Sequence, residues 1–170
     1  MFSWVNDIDI VGVKLVIVVL DPKQKLIVLK DFFNKISKNT RVIMPVHLYG
    51  NLFNTFELKK KIPKNIFIIE DSAHAFCGEY NNNILGKYSD FAVFSFYATK
   101  SITCGEGGAI ITNSKNHEEK IRSISNNGMT KPAFKRFVNN KYIPWDVYNY
   151  GFKANLSDIN ASILIDQIKK

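Results

Sequence analysis

The chain has 170 residues, 46% of them hydrophobic and 13% aromatic, with 23 basic against 15 acidic side chains and a formal charge of +8. That apolar content excludes disorder by composition, and the length suits one domain with a core of its own. Only three of the 23 basic residues are arginine, the better reader of bases and phosphates, so the charge is taken as a compositional bias and no nucleic-acid partner is expected.

Strand-like and helix-like patterns alternate along the chain. Val13–Leu20 is a continuous β-branched run, as for a strand buried on both faces, closed by Asp21-Pro22. It holds Lys14 and is too short to span a bilayer, so no membrane partner is expected. Asp7 and Asp9 stand where a signal peptide needs positive charge, so none is expected. Residues 24–38 space Ile27, Phe32, Phe33 and Ile36 as a helix would, with lysines opposite. Arg41–Val46 reads as a second strand, followed by the loop His47–Asn51. Residues 55–62 form a short basic helix stopped by Pro63, and Ile66–Glu70 a third buried strand. Asn81-Asn82-Asn83 predicts the turn of a small hairpin. Phe91–Phe96 and Gly107–Thr112 read as strands, and 114–126 as a helix with Ile121 and Ile124 inward. Residues 129–151 are expected to be irregular, and Ser157 to cap a last helix, Asp158–Lys170, with Ile159, Ile163 and Ile168 along one side. There is no internal repeat and no low-complexity segment. The alternation predicts an α/β fold on a mostly parallel sheet.

One constellation carries chemistry. Asp71 closes a strand, Ser95 closes another 24 residues later, and Lys100 follows before Gly105-Glu106-Gly107-Gly108. A pyridoxal-phosphate enzyme needs a lysine for the Schiff base, a hydroxyl for the phosphate and a carboxylate for the pyridinium nitrogen. Ligands of α/β sheets lie at the carboxyl ends of the strands, where Asp71, Ser95 and His47 all fall. Taken singly, each residue has a plainer reading: a solvated lysine, a capping or ion-paired aspartate, a strand-end serine. Their shared placement is what argues for a site. His74 is either a structural hydrogen-bonder or a contact to the cofactor ring or its phenolic oxygen. Glu70, by alternation, points away from Asp71. The glycine run is too short for a dinucleotide fingerprint and reads as a tight turn into a strand. His47 and Tyr49 either face substrate or pack the turn, and both readings stay open. Cys77 and Cys104 form no CxxC pair, which argues against zinc-ribbon and thioredoxin chemistry and fits a reduced, cytoplasmic setting.

At these residues the chain resembles the DegT/StrS-type sugar aminotransferases, fold-type I pyridoxal-phosphate enzymes. The matching segments include Pro45–Gly50, Glu70–Ala75, Phe94–Lys100 with Gly105–Gly108, Asn127-Gly128-Met129 and Gly151–Ala161. The resemblance implies a single partial large, cofactor-binding domain over residues 1–170, with flanking helices and without the family's small C-terminal domain. By it, Lys100 looks like the Schiff-base lysine, Asp71 the pyridinium partner and Ser95 a phosphate ligand. His74 falls against the cofactor, Asn155 where the family reaches the phosphate of a neighbouring subunit, and Trp4 near the aromatic that stacks on the ring. No metal is implied. The family's reaction moves an amino group from an amino acid such as glutamate to a keto sugar nucleotide, in cell-surface polysaccharide biosynthesis, by homodimers. The usual Gly-Thr phosphate-binding turn is missing, and Val19 stands where an aspartate is usual. Two expectations follow: an aminotransferase, acting as a homodimer or with a complementing chain, or a catalytically inactive remnant that serves, if at all, as an interaction module.

Overall fold

A computed structural model describes residues 11–18, 29–129, 137–138, 141–142, 144 and 146–169. The chain divides into two compact units, residues 1–41 and 42–170.

In the first unit, helix α1 (Leu29–Lys35) carries an ion pair one turn apart, Asp31 to Lys35 at 2.9 Å. Lys35 Nζ also donates to Ile17 O at 2.8 Å. The helix stops short of the expected residue 38. There Ser37 and Thr40 close a local turn, Thr40 N–H to Ser37 O and Ser37 N–H to Thr40 Oγ1, each at 3.0 Å. Short hydroxyl side chains compete with the helix ladder in this way. Residues 13–18 form no strand, although the β-branched run predicts one, and Val13, Val16 and Ile17 are exposed. A β-branched run fits a pleated surface but cannot supply the neighbouring strand it needs. Residues 19–20 of that run, and 24–28 of the expected helix, lie outside the described residues.

The second unit is built on a four-stranded sheet in the order β1-β2-β5-β6, with β1 (Val42–Ile43), β2 (Phe67–Asp71), β5 (Phe91–Ser95) and β6 (Gly108–Ile111). β1, β2 and β5 run parallel and β6 antiparallel, so the sheet is mostly parallel as expected. Chain length explains the one reversal. β1 and β2 are joined across α2 (Thr55–Lys61), whereas β5 reaches β6 by a loop of 12 residues without a helix, which favours an antiparallel return. Asn54 caps α2 by accepting from Glu57 N–H at 3.1 Å, and lysines fill its last turn. Between β2 and β5 sits a hairpin, β3 (Glu79–Tyr80) and β4 (Asn83–Ile84). Its turn residues Asn81 and Asn82 have φ of 50° and 59°, the left-handed region asparagine tolerates best after glycine.

Helix α3 (Lys115–Ile124) is capped by Ser114, and α4 (Asp158–Ile168) by Ser157, each through its hydroxyl oxygen. Between them lies a short hairpin, β7 (Phe137–Val138) and β8 (Lys141–Tyr142), inside the stretch expected to be irregular. Strands of two residues are too short to leave a periodicity in sequence. Burial follows alternation on β2, where Ile68 and Glu70 are buried and Phe67 is exposed. The inward residue of α4 is Leu164, in a cluster with Phe96 and Cys104, while Ile159, Ile163 and Ile168 are exposed.

The end of α3 shows why a glycine stands at 128. Gly128 has φ of 72° and donates its N–H to Ser123 O at 2.8 Å, a left-handed helix ending. Residues 147–154 then dock on that ending, with Phe152 N–H to Ile124 O at 2.7 Å and Ala154 N–H to Ser125 O at 2.9 Å. A Cβ on Gly128 would lie 1.8 Å from Asn149 O. Gly128→Ala is therefore expected to lose about 1–3 kcal/mol in denaturant unfolding, from strain plus overpacking, and to speed amide exchange at Phe152 and Ala154.

Candidate active site

Parallel pairing places the chemistry at one rim. Asp71 lies opposite Val93 in the register, so Ser95 ends β5 two residues further along the same edge. The Asp71 peptide is held from its other side too: its N–H donates to Pro45 O and its carbonyl accepts from His47 N–H, both at 2.9 Å. Its carboxylate oxygen Oδ1 accepts from Ala73 N–H at 3.1 Å, an Asx turn that starts the bend carrying His74. Lys100 comes back across that bend, its Nζ 3.0 Å from Nε2 of the exposed His74. Which nitrogen donates follows the imidazole tautomer. Ser95 Oγ accepts from Tyr97 N–H at 3.3 Å, which leaves its own O–H to donate elsewhere. The ring of Tyr49 meets that of His74 edge-on, centroids 5.1 Å apart.

Four of the expected residues, Asp71, His74, Ser95 and Lys100, thus belong to the end of β2, the end of β5 and the turns that follow them. Asn155 is exposed on the approach to α4, its amide oxygen accepting from Lys153 Nζ. Trp4 lies outside the described residues.

The two open readings of His47 resolve toward packing. His47 is fully buried, and its Nδ1 accepts from Phe53 N–H at 3.0 Å. The ring proton therefore sits on Nε2, 3.8 Å from Glu70 Oε1, beyond hydrogen-bond length but well placed for attraction to the carboxylate. The other oxygen, Glu70 Oε2, accepts from Gly86 N–H at 2.5 Å. Burial alone raises the Glu70 acid. The His47 and Thr55 side chains and the Gly86 N–H outweigh it, so the carboxyl is held below its ordinary value of 4.5. Glu70 points away from Asp71, as alternation requires. It lines a cavity of about 220 Å³ with Thr55, Phe56, Tyr80 and Tyr88, and none of the four rim residues lines that cavity.

One contact was not visible from sequence. Gln167, on α4, binds the backbone of Thr103 in the loop that carries Lys100, with Thr103 N–H to Oε1 at 3.0 Å and Nε2 to Thr103 O at 2.7 Å. Sixty-four residues separate the pair, and a glutamine late in a helix has no local signature.

A mostly parallel sheet thus carries a lysine, a carboxylate and a hydroxyl at the carboxyl rim of β2 and β5. The chain belongs to the DegT/DnrJ/EryC1/StrS aminotransferase family, whose sequence profile matches residues 2–170. It is 37% identical over 158 residues to the uncharacterized protein MJ1066 of Methanocaldococcus jannaschii, covering 92% of this chain and 41% of that protein. It is 33% identical over 137 residues to the spore coat polysaccharide biosynthesis protein SpsC of Bacillus subtilis, covering 79% of this chain and 35% of SpsC. Among solved structures it resembles Helicobacter pylori PseC, an aminotransferase involved in the biosynthesis of pseudoaminic acid. That match has a TM-score of 0.87 at 27% identity, over 100% of this chain and 44% of PseC. The chain thus spans less than half the length of these relatives. The family depends on pyridoxal phosphate, and the donor set at the rim fits that group: an amine, an acceptor for a ring N–H, and a hydroxyl with a free proton. Among the described residues no cluster of three or more His, Cys, Asp or Glu is placed to hold a metal, and no helix is long and apolar enough to cross a membrane.

Because the Glu70 acid is lowered in the folded chain, its contribution to stability is present above its ordinary value and is lost as pH falls through the folded value. Denaturant unfolding from pH 7 to pH 3 is expected to show this loss, and Glu70→Gln to flatten that part of the profile while lowering stability at neutral pH by about 1–3 kcal/mol.

Proposed function

We propose that Lys100 is the amine that condenses with pyridoxal phosphate in a nucleotide-sugar aminotransferase. The observation that carries this reading is the 3.0 Å contact of Lys100 Nζ with His74, on the bend that the Asp71 carboxylate starts by accepting from Ala73 N–H. When bound, the cofactor supplies an aldehyde that condenses with amines and a ring that takes up carbanion charge. The chain's own residues do the rest. Asp71, oriented by Ala73 N–H, accepts from a protonated ring nitrogen and keeps it charged. Ser95 gives its free O–H to the phosphate, and His74 contacts the ring or its phenolic oxygen. Lys100 Nζ would take the proton from the substrate's α-carbon and return it.

The substrates in this reading are an amino-acid donor such as glutamate and a keto sugar nucleotide, with polysaccharide biosynthesis as the setting. Support comes from the relatives, SpsC acting in spore coat polysaccharide biosynthesis and PseC in the biosynthesis of pseudoaminic acid. Residues 1–170 make up a single partial cofactor-binding domain that works as a homodimer or with a complementing chain. Asn155 fits that arrangement, since its exposed position is what a residue serving a neighbouring copy's phosphate requires. Trp4 is assigned the stacking face of the ring. A reduced, cytoplasmic setting is supported by the two separated cysteines, Cys77 exposed and Cys104 buried.

The test uses the purified chain with added pyridoxal phosphate. A protein-bound band near the visible edge is expected, and borohydride should leave a phosphopyridoxyl group on Lys100, located by peptide mass spectrometry. Lys100→Ala should abolish both. Label spread over surface lysines, unchanged in Lys100→Ala, would overturn the assignment. Asp71→Asn keeps shape but loses the charge-assisted bond, so cofactor retention should weaken roughly 10–100-fold, read by equilibrium dialysis.

A further inference from the structure

We propose that Gln167 is a positioning residue for Lys100, acting through the peptide of Thr103; this rests on the reading of Lys100 as the cofactor-binding amine. The loop between β5 and β6 carries Lys100 outside the sheet ladder. Its base is closed by the chain itself: Phe96 N–H donates to Gly107 O at 2.8 Å, and Phe96 O accepts from Cys104 N–H at 3.1 Å. The Thr103 hydroxyl tightens that closure, donating to Phe96 O and accepting from Gly105 N–H, both at 3.0 Å. That hydroxyl is engaged inside the loop, while the Thr103 N–H and carbonyl go to Gln167. The amide cannot turn over without loss, because Nε2 also donates to Ile163 O at 2.9 Å. Three residues before Gln167 on the same helix, Leu164 packs against Phe96 and Cys104. Helix α4 therefore meets the loop at three places: an apolar anchor at its base, a two-bond grip at Thr103, three residues from Lys100, and Asn160 Nδ2 donating to Glu106 O at 3.3 Å. Loss of the grip exposes the Thr103 peptide to water and removes the α4 contact nearest Lys100 along the loop, leaving Leu164 and Asn160 to hold the loop's base.

Gln167→Met keeps length and apolar contact and removes both bonds. Two readouts in the cofactor-free chain test the role. Amide exchange at Thr103 is expected to quicken about tenfold or more in the folded variant. Acylation of Lys100 by a neutral amine reagent, read by peptide mass spectrometry against the other lysines, is expected to quicken as the segment loosens beside His74. Pyridoxal phosphate should then bind roughly tenfold more weakly. Leu164→Val is the control, since it loosens the helix but leaves the Gln167 amide in place; it should lower the unfolding midpoint without changing the Lys100 acylation rate. A folded Gln167→Met chain with unchanged Thr103 exchange and unchanged Lys100 acylation would overturn the proposal. So would Leu164→Val changing the Lys100 acylation rate as much as Gln167→Met. If the unsubstituted chain takes no cofactor at Lys100, the functional reading falls, while the exchange and acylation comparison still decides the Gln167 grip.

Discussion

The parallel pairing of β2 with β5 is the constraint on which the site depends. Two neighbouring strands that run the same way end at the same edge, so the residues that close them are brought together however far apart they lie in the chain. Asp71 and Ser95 share an edge for that reason, and the turns that leave it carry His74 and Lys100. Were β5 antiparallel to β2, Ser95 and Lys100 would emerge at the opposite edge and no such set would form.

The rim is kept in place by what lies behind it. Residues 45–47 run on from β1 and bond both sides of the Asp71 peptide, so the strand end cannot fray freely. One residue earlier, Glu70 is buried and anionic, which would be costly if its oxygens lacked donors. Gly86 N–H and the polarity of His47 and Thr55 supply that solvation from within, and they tie the loop after β1 and the turn after β4 to β2. His47 Nδ1 is taken up by Phe53 N–H, so the ring serves as a structural support. The buried pair on one side of β2 and the chemical pair on the other are consequences of the same alternation.

The lysine loop meets a different problem. It leaves the ladder for twelve residues, and loops of that length are ordinarily the least stable part of a domain. Here the loop is shortened by its own bonds at Phe96 and Thr103 and then backed by α4 through Leu164 and Gln167. An amine proposed to react with a bound group must be held close to its target atom for its reactivity to count, and support from elements remote in sequence provides that.

The sequence by itself determined the local order of the chain: the acid-ended strand at Asp71, the Asn-rich hairpin turn, the caps at Ser114 and Ser157, and the lysine-glycine run with its family membership. These are short-range matters, settled by hydrophobic alternation, side-chain caps and backbone preference, and each is legible within a dozen residues. Only the tertiary structure decided that His47 packs against Glu70 instead of facing substrate, that Leu164 and not its isoleucine neighbours anchors α4, that residues 13–18 form no strand, and that Gln167 grips Thr103. Each of these depends on which surface a residue meets, and for His47, Leu164 and Gln167 that partner comes from far along the chain. Periodicity reports that a residue is able to be buried; only the assembled fold says against what.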